Sequence, residues 1–203
     1  MALAFADIAF TPKVRAEQER RGSANAYGKF LSEERWGGDH LGAEEAVFLT
    51  ERDGFFQASI SETGWPYVQF RGGTPGFVKI LDKQTIAYAD YRGNRQYIST
   101  GNLTHSNRVS IIAMDYPNQR RLKLWGEVAF IDPESDPALL ALLHRGTETV
   151  ERIVKISVSA FDWNCPRHIP RRFTLEELEP ELSTLRDRLA ELEIENAQLK
   201  RGR

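Results

Sequence analysis

Between Gln69 and Asn102 the chain gathers three arginines, several glycines and side-chain amides in an order that suits a bound phosphate. Gln69-Phe70-Arg71-Gly72-Gly73 ends an apolar stretch with a cation and two flexible backbone positions. Asp90-Tyr91-Arg92-Gly93-Asn94-Arg95 supplies two more arginines, a glycine and an amide just ahead of a helical pattern. Backbone N–H groups at a helix N-terminus attract an anion, and guanidiniums beside them clamp it with paired hydrogen bonds. The same residues also have plain readings. A strand-end arginine such as Arg71 is commonly a solvated charge, Asn94 and Arg95 make an ordinary turn and cap, and Asn102 reads equally as a helix-terminal residue. Arg92 competes with Arg95 for the same role, because the sequence does not fix the direction of the turn.

A second unusual stretch runs from Phe161 to Arg171 and packs an indole, an amide, a thiol, an imidazole and two arginines around two prolines. Its plain reading is a rigid loop with an anchoring tryptophan and an inert thiol. Cys165 is the single cysteine, so no disulfide forms within one chain, and a reducing, cytoplasmic setting is expected. His40, His105, His144 and His168 are scattered, and Cys165 with His168 makes only half a zinc site, so no metal centre is expected. No Gly-x-Ser-x-Gly elbow, phosphate loop or Gly-x-Gly-x-x-Gly turn is present, which removes the hydrolase, nucleotidase and dinucleotide-fold readings.

The elements that must position these residues follow from the pattern. Thr11-Pro12 opens a polar helix to Arg21, with threonine as N-cap and proline in the first turn. Short helices are expected over Tyr27–Arg35 and Ala43–Arg52. Then the apolar period changes to two. Phe55–Ile60 and Tyr67–Phe70 read as strands joined at Glu62-Thr63-Gly64, and Phe77–Leu81 with Thr85–Ala89 as a hairpin around Asp82-Lys83. Tyr97–Leu103 reads as a short helix, and Val109–Ala113, Leu122–Ile131 and Ile153–Ala160 as further strands. Asp136-Pro137 opens a helix that ends at Arg145-Gly146. Many short strands with few helices point to a small barrel rather than a layered α/β sheet.

At 203 residues the chain can hold one domain with a sizeable core, or one domain with appendages, and its formal charge of −2 favours neither nucleic acid nor an anionic membrane. Its apolar runs fall well short of the roughly 18 residues needed to span a bilayer. Nor does the start of the chain resemble a secretory signal, since a basic stretch followed by a long apolar core is missing.

From Leu175 the character changes. Leu175, Leu182, Leu189 and Asn196 recur every seven residues, and Leu178, Leu185, Leu192 and Leu199 form a second series offset by three. These are the a and d positions of a heptad repeat. Pro180 interrupts it, so the coil is expected to begin near Glu179-Pro180, after a capped turn at Thr174-Leu175-Glu176-Glu177. Two readings fit this spacing: a parallel dimeric coiled coil, or an amphipathic helix folded onto its own barrel.

The segment from about residue 46 to 131 resembles the pyridoxamine 5'-phosphate oxidase-related flavoproteins. The resemblance is carried by Gly64-Trp65-Pro66-Tyr67-Val68-Gln69-Phe70-Arg71, Asp90 to Arg95, Gly101-Asn102-Leu103 and Arg121-Leu122-Lys123-Leu124-Trp125-Gly126-Glu127. It implies a split β-barrel, mainly β with flanking helices, that binds FMN at a homodimer interface. By position it implies phosphate contacts from Arg71, Asn94 and Arg95, with Tyr91 and Gln96 as flanking candidates. Arg92, as the alternative to Arg95, together with Gln69 and Asn102 completes the candidate cofactor-binding set on these strands and helix. Asn164-Cys165-Pro166 is similar to a stretch through which one branch of the family returns to the flavin. On that resemblance Trp163 covers the ring, with Asn164 and Cys165 at its polar edge.

Three segments are therefore expected: 1–45 helical, 46–172 the flavin-binding barrel, and 173–203 the coiled tail. The implied activity is oxidoreduction of a small molecule, with NAD(P)H as a candidate donor and no catalytic side chain identified. The alternative is a flavin-binding module without turnover whose tail pairs or docks a partner. Oxidation of vitamin B6 is disfavoured, because Arg171-Arg172 leads into a leucine-heptad tail rather than the arginine-bearing end of the authentic oxidases.

Overall fold

The computed structural model describes residues 3–31, 37–163 and 165–201. Among these residues seven strands form one antiparallel sheet: β1 (Gly54–Ile60), β2 (Pro66–Gly72), β3 (Lys79–Asp82), β4 (Thr85–Tyr91), β5 (Arg108–Asp115), β6 (Arg120–Ile131) and β7 (Val150–Trp163). Their order is β2-β1-β5-β6-β7-β4-β3. The alternation that predicts strands also fixes their faces, because successive side chains point to opposite sides. Phe55, Ile111, Leu122, Leu124, Val154, Ile156 and Ile86 all point into one buried core. Each such side chain contributes about 1.5–3 kcal/mol when fully withdrawn from water.

The sheet curls until its two ends face each other across a split that side chains close. Tyr88 of β4 donates from its hydroxyl to Gln57 Oε1 of β1 at 3.0 Å, with both residues buried. Burial drives the Tyr88 hydroxyl pKa above its ordinary value. Arg71 of β2 reaches Asp90 of β4 at 2.7 Å. No ladder pairs β2 with β4, so these contacts do the work that backbone bonds do elsewhere in the barrel.

β4 is buried along both faces from Thr85 to Asp90. Its second face, Ala87 and Ala89, packs with Ile153 and Leu143, the latter from a short helix α6 (Pro137–Leu143). That helix starts as the sequence requires, with Asp136 accepting from the Leu139 N–H at 2.9 Å.

The remaining helices are α1 (Leu3–Ala9), α2 (Pro12–Arg20), α3 (Ala24–Gly28), α4 (Ala43–Thr50), α5 (Ile98–His105) and α7 (Leu175–Arg201). α4 opens with Glu45 accepting from the Gly42 N–H at 2.9 Å, and it sends Phe48 and Leu49 into the core. The helix expected over Tyr27–Arg35 is instead α3 followed by a 3-10 turn at Lys29–Leu31, and residues 32–35 lie outside the described residues. α5 begins one residue later than expected, because Tyr97 adopts a left-handed backbone.

The chain divides into two compact units, Met1–Asp115 with Arg120–Pro166, and Tyr116–Gln119 with Arg167–Arg203. In the second unit Gln119 Nε2 donates to the Ile169 carbonyl at 2.6 Å, and the Arg172 guanidinium lies over the Tyr116 ring. The expected helix start is corrected here: α7 runs from Leu175 straight through Pro180. The capping box does form, with Glu177 N–H on Thr174 Oγ1 at 3.2 Å and Thr174 N–H on Glu177 Oε2 at 2.8 Å. The proline is tolerated because the carbonyl it leaves without a donor, that of Glu176 one turn earlier, belongs to an exposed residue. Among the described residues no helix is long and apolar enough to cross a membrane, and no cluster of His, Cys, Asp or Glu forms a metal site.

Gly126 shows how closely the ladders approach. It sits at the register shift between β6 and β7, where an added Cβ would lie 2.5 Å from the Ser157 carbonyl oxygen. Gly126→Ala should therefore cost about 1–3 kcal/mol of stability in urea unfolding, as overpacked positions do. A midpoint unchanged from the parent would show that the ladder gives way freely there.

Candidate functional site

Strand alternation sets Tyr67, Gln69 and Arg71 on one face of β2 and exposes Val68 and Phe70 on the other. Arg71 Nη1 donates to Asp90 Oδ1 at 2.7 Å. Arg152 stands opposite Asp90 in the β4–β7 ladder and approaches its second oxygen, Oδ2, at 3.6 Å. It also donates to the Thr100 hydroxyl and lies over the Tyr97 ring. Asp90, only 9% exposed, is thus held between two guanidiniums. Despite this company the Nε–H of Arg71 is buried without a partner among the described residues.

Beyond Tyr91 the backbone takes a costly path. Asn94 Oδ1 accepts from the Gln96 N–H at 3.2 Å, a turn closed by its own side chain. Arg95 and Tyr97 then adopt φ of 61° and 54°. For residues other than glycine each such conformation costs on the order of 1 kcal/mol or more. The outcome is that α5 starts with no side chain capping its first N–H groups. Ser99 Oγ donates to Gln69 Oε1 at 2.7 Å and ties this helix end to β2.

Together these residues shape a cavity of about 70 Å³, lined by Arg71, Asp90, Asn94, Arg95, Ser99 and Arg152, with Gln69, Tyr91, Gln96 and Glu151 also on its wall. That volume is far below the roughly 300 Å³ at which a pocket encloses a drug-sized molecule, so it suits a small anion and not a ring system. Three guanidiniums face two carboxylates. Burial works to raise the Glu151 carboxyl, but hydrogen bonds from Tyr97 and Arg92 and the charges of Arg152 and Arg92 outweigh it and hold it below its ordinary range. The Arg95 guanidinium is held above its usual value by the Tyr97 hydroxyl. An unpartnered guanidinium N–H, an uncapped helix start and a surplus of cations all fit a phosphate group.

Most of the expected residues come together here. Gln69, Arg71, Tyr91, Asn94, Arg95 and Gln96 line one cavity. The Tyr91 hydroxyl is engaged outside it, accepting from the Arg145 N–H at 3.1 Å. Arg92 pairs with Glu151 at 3.2 Å and lines a neighbouring surface cleft. Asn102 is buried on α5, where its Nδ2 donates to Ser59 Oγ of β1 at 3.1 Å, so it braces the helix. Trp163 and Cys165 are not brought to the cavity within one chain. β7 carries Arg152 near its start and Trp163 at its end, roughly 35 Å apart at strand rise. Trp163 Nε1 donates to Glu45 at 2.7 Å, its ring meets Phe48 edge-on, and Cys165 is exposed. Asn164 lies outside the described residues.

The sequence did not single out Arg152, Thr100 or Ser99, and it gave Asp90 no role of its own although Asp90 opens the Asp90–Arg95 stretch. Arg152 carries no local signal, because only the β4–β7 register brings it beside Asp90.

The fold and this cleft define a split-barrel protein with a cationic, phosphate-sized niche at the split. The chain belongs to the pyridoxamine 5'-phosphate oxidase family, whose model, described as pyridoxamine 5'-phosphate oxidase, matches residues 41–156. Solved structures similar to it include HupZ of Group A Streptococcus, at 12% identity and TM-score 0.48 over 66% of this chain and 100% of that one. A protein of Lactobacillus delbrueckii described as a pyridoxamine 5'-phosphate oxidase matches at 18% identity and TM-score 0.48, over 61% and 94%. An FMN-binding protein of Syntrophomonas wolfei matches at 11% identity and TM-score 0.47, over 74% and 97%. Identities this low leave the activities of those proteins their own. No curated protein matches the chain.

Asp90→Asn removes the carboxylate that both arginines share. Asp90 is buried while both arginines keep some contact with water, so the loss should be about 1–3 kcal/mol in urea unfolding. An unchanged midpoint would mean that the arginines hold their places without it.

Proposed function

We propose that this protein is an FMN-binding flavoprotein that acts as an oxidoreductase on a small molecule and works as a homodimer. The observation that carries this reading is the niche formed by Arg71, Asp90, Arg152 and the uncapped start of α5. Arg71, Arg95, Asn94 and Arg152 would hold the FMN phosphate, with Gln69 and Gln96 beside it. FMN supplies the electron chemistry, so the protein needs no side-chain base of its own. The role left to the chain is to bind the phosphate, to fix the position of the flavin through the strained turn, and to keep cations close to it.

An apolar sheet face supports pairing. Phe56 lies between Phe70 and Ile112 in the strand register, and Val68 and Ile60 extend the same exposed surface. Contiguous apolar surface of this kind marks association. A light-scattering mass of a monomer would contradict the pairing. NAD(P)H is the donor to try first, with a small conjugated acceptor. The single cysteine supports a reducing, cytoplasmic setting.

The test is a comparison of two flavins that differ only by the phosphate. Arg71→Ala should weaken FMN binding about 10- to 100-fold, the worth of one charge-assisted hydrogen bond, and leave riboflavin binding unchanged. FMN affinity untouched by the substitution, or an equal loss for both flavins, would remove Arg71 from the phosphate site.

A further inference from the structure

α7 is 27 residues long and none of its residues is buried. Leu185 is 66% exposed and Leu199 67%, an unusual amount of apolar surface to leave in water along one stripe. The geometry points to a second copy of the same helix as its occupant: we propose that α7 pairs with α7 of another chain as a parallel, in-register coiled coil.

Three observations choose this partner and this orientation. The first is charge. In a parallel pair each g residue faces the e residue five positions later on the partner. Here those couples are Glu181 with Arg186, Arg188 with Glu193, and Glu195 with Lys200, and every couple is opposite in sign. The second is Asn196. In register it meets its own copy across the seam, where two amides satisfy each other. In an antiparallel pair overlapping along the whole helix it would sit against Leu178 with no hydrogen-bonding partner. The third is Pro180. Because the helix continues through it, the seam gains Leu175 and Leu178 and reaches four a and four d positions. Pro180 itself falls at f and Glu176, whose carbonyl loses its usual donor, at b, both on the outside of the coil.

Within the single helix the charged flank is already ordered. Arg186 reaches back to Glu179 at 2.6 Å, one heptad earlier on the same e edge. Arg188 pairs with Glu191 at 2.8 Å. A coil of this length is marginal alone. Two tails tethered to a paired barrel would meet at an effective concentration in the millimolar range, which is enough to close a weak seam.

The experiment uses the full chain with Cys165→Ser, so that each added thiol is alone. Asn196→Cys replaces the polar seam residue without removing a leucine, and Leu192→Cys provides a second seam position. Asp187→Cys, at f, is the outward control. Under mild oxidant the two seam variants should form disulfide-linked dimers at least tenfold faster than the control. Full-length antiparallel pairing would hold the two thiols at position 196 roughly 27 Å apart along the axis, so it would leave that variant unlinked. Seam variants that link no faster than Asp187→Cys would overturn the proposal. Light scattering on the same samples separates it from pairing through the sheet: a dimeric mass without seam linkage would leave the sheet pairing standing and discard the coil.

Discussion

The arrangement at the split depends on one carboxylate. Asp90 lies between Arg71 and Arg152, and the contact joins β2, at one end of the sheet, to β4 and β7 near the other. Backbone ladders cannot bridge this split, since β2 and β4 are not neighbours. A buried ion pair is weak evidence for stability, because desolvation offsets much of its attraction. Its value here is positional. It fixes the two guanidiniums at the mouth of the split, and it leaves the Arg71 Nε–H without a partner among the described residues.

Everything that shapes the niche follows from elements with other reasons to exist. β2 alternates because one of its faces lines the niche and the other is exposed and apolar. α5 starts where it does because Ser99 and Asn102 fasten it to β2 and β1. Between β4 and α5 the chain has few residues in which to turn, and it accepts two left-handed backbones to do so. Strain of this kind persists only where the surroundings over-determine it. The strands on either side supply that constraint, and the open start of α5 is the result.

Legibility in the sequence followed the range of the interactions. The strands from Phe55 to Ala160 were readable because period-two alternation is local, as were the caps at Thr11, Asp136 and Thr174. Arg71, Asn94 and Arg95 were marked as candidates by the family resemblance, and the cavity gathers all three. Arg152 was not readable, since nothing near it in the chain marks it and its place depends on pairing with a distant strand. The continuation of α7 through Pro180 was missed for a different reason. The rule that proline breaks a helix weighs the lost hydrogen bond without asking where the orphaned carbonyl points, and here it belongs to an exposed residue. Trp163 and Cys165 looked like ring contacts by resemblance, yet the length of β7 carries them away from Arg152 in the same chain.

The most direct test of the account is a fluorescence titration of FMN with the purified full chain, at low and at high phosphate concentration. Saturable quenching at one FMN per chain, weakened by competing phosphate, is the predicted result. An FMN signal that does not change at any protein concentration would contradict the central claim, and Arg71 and Arg152 would then be no more than the clasp that closes the split.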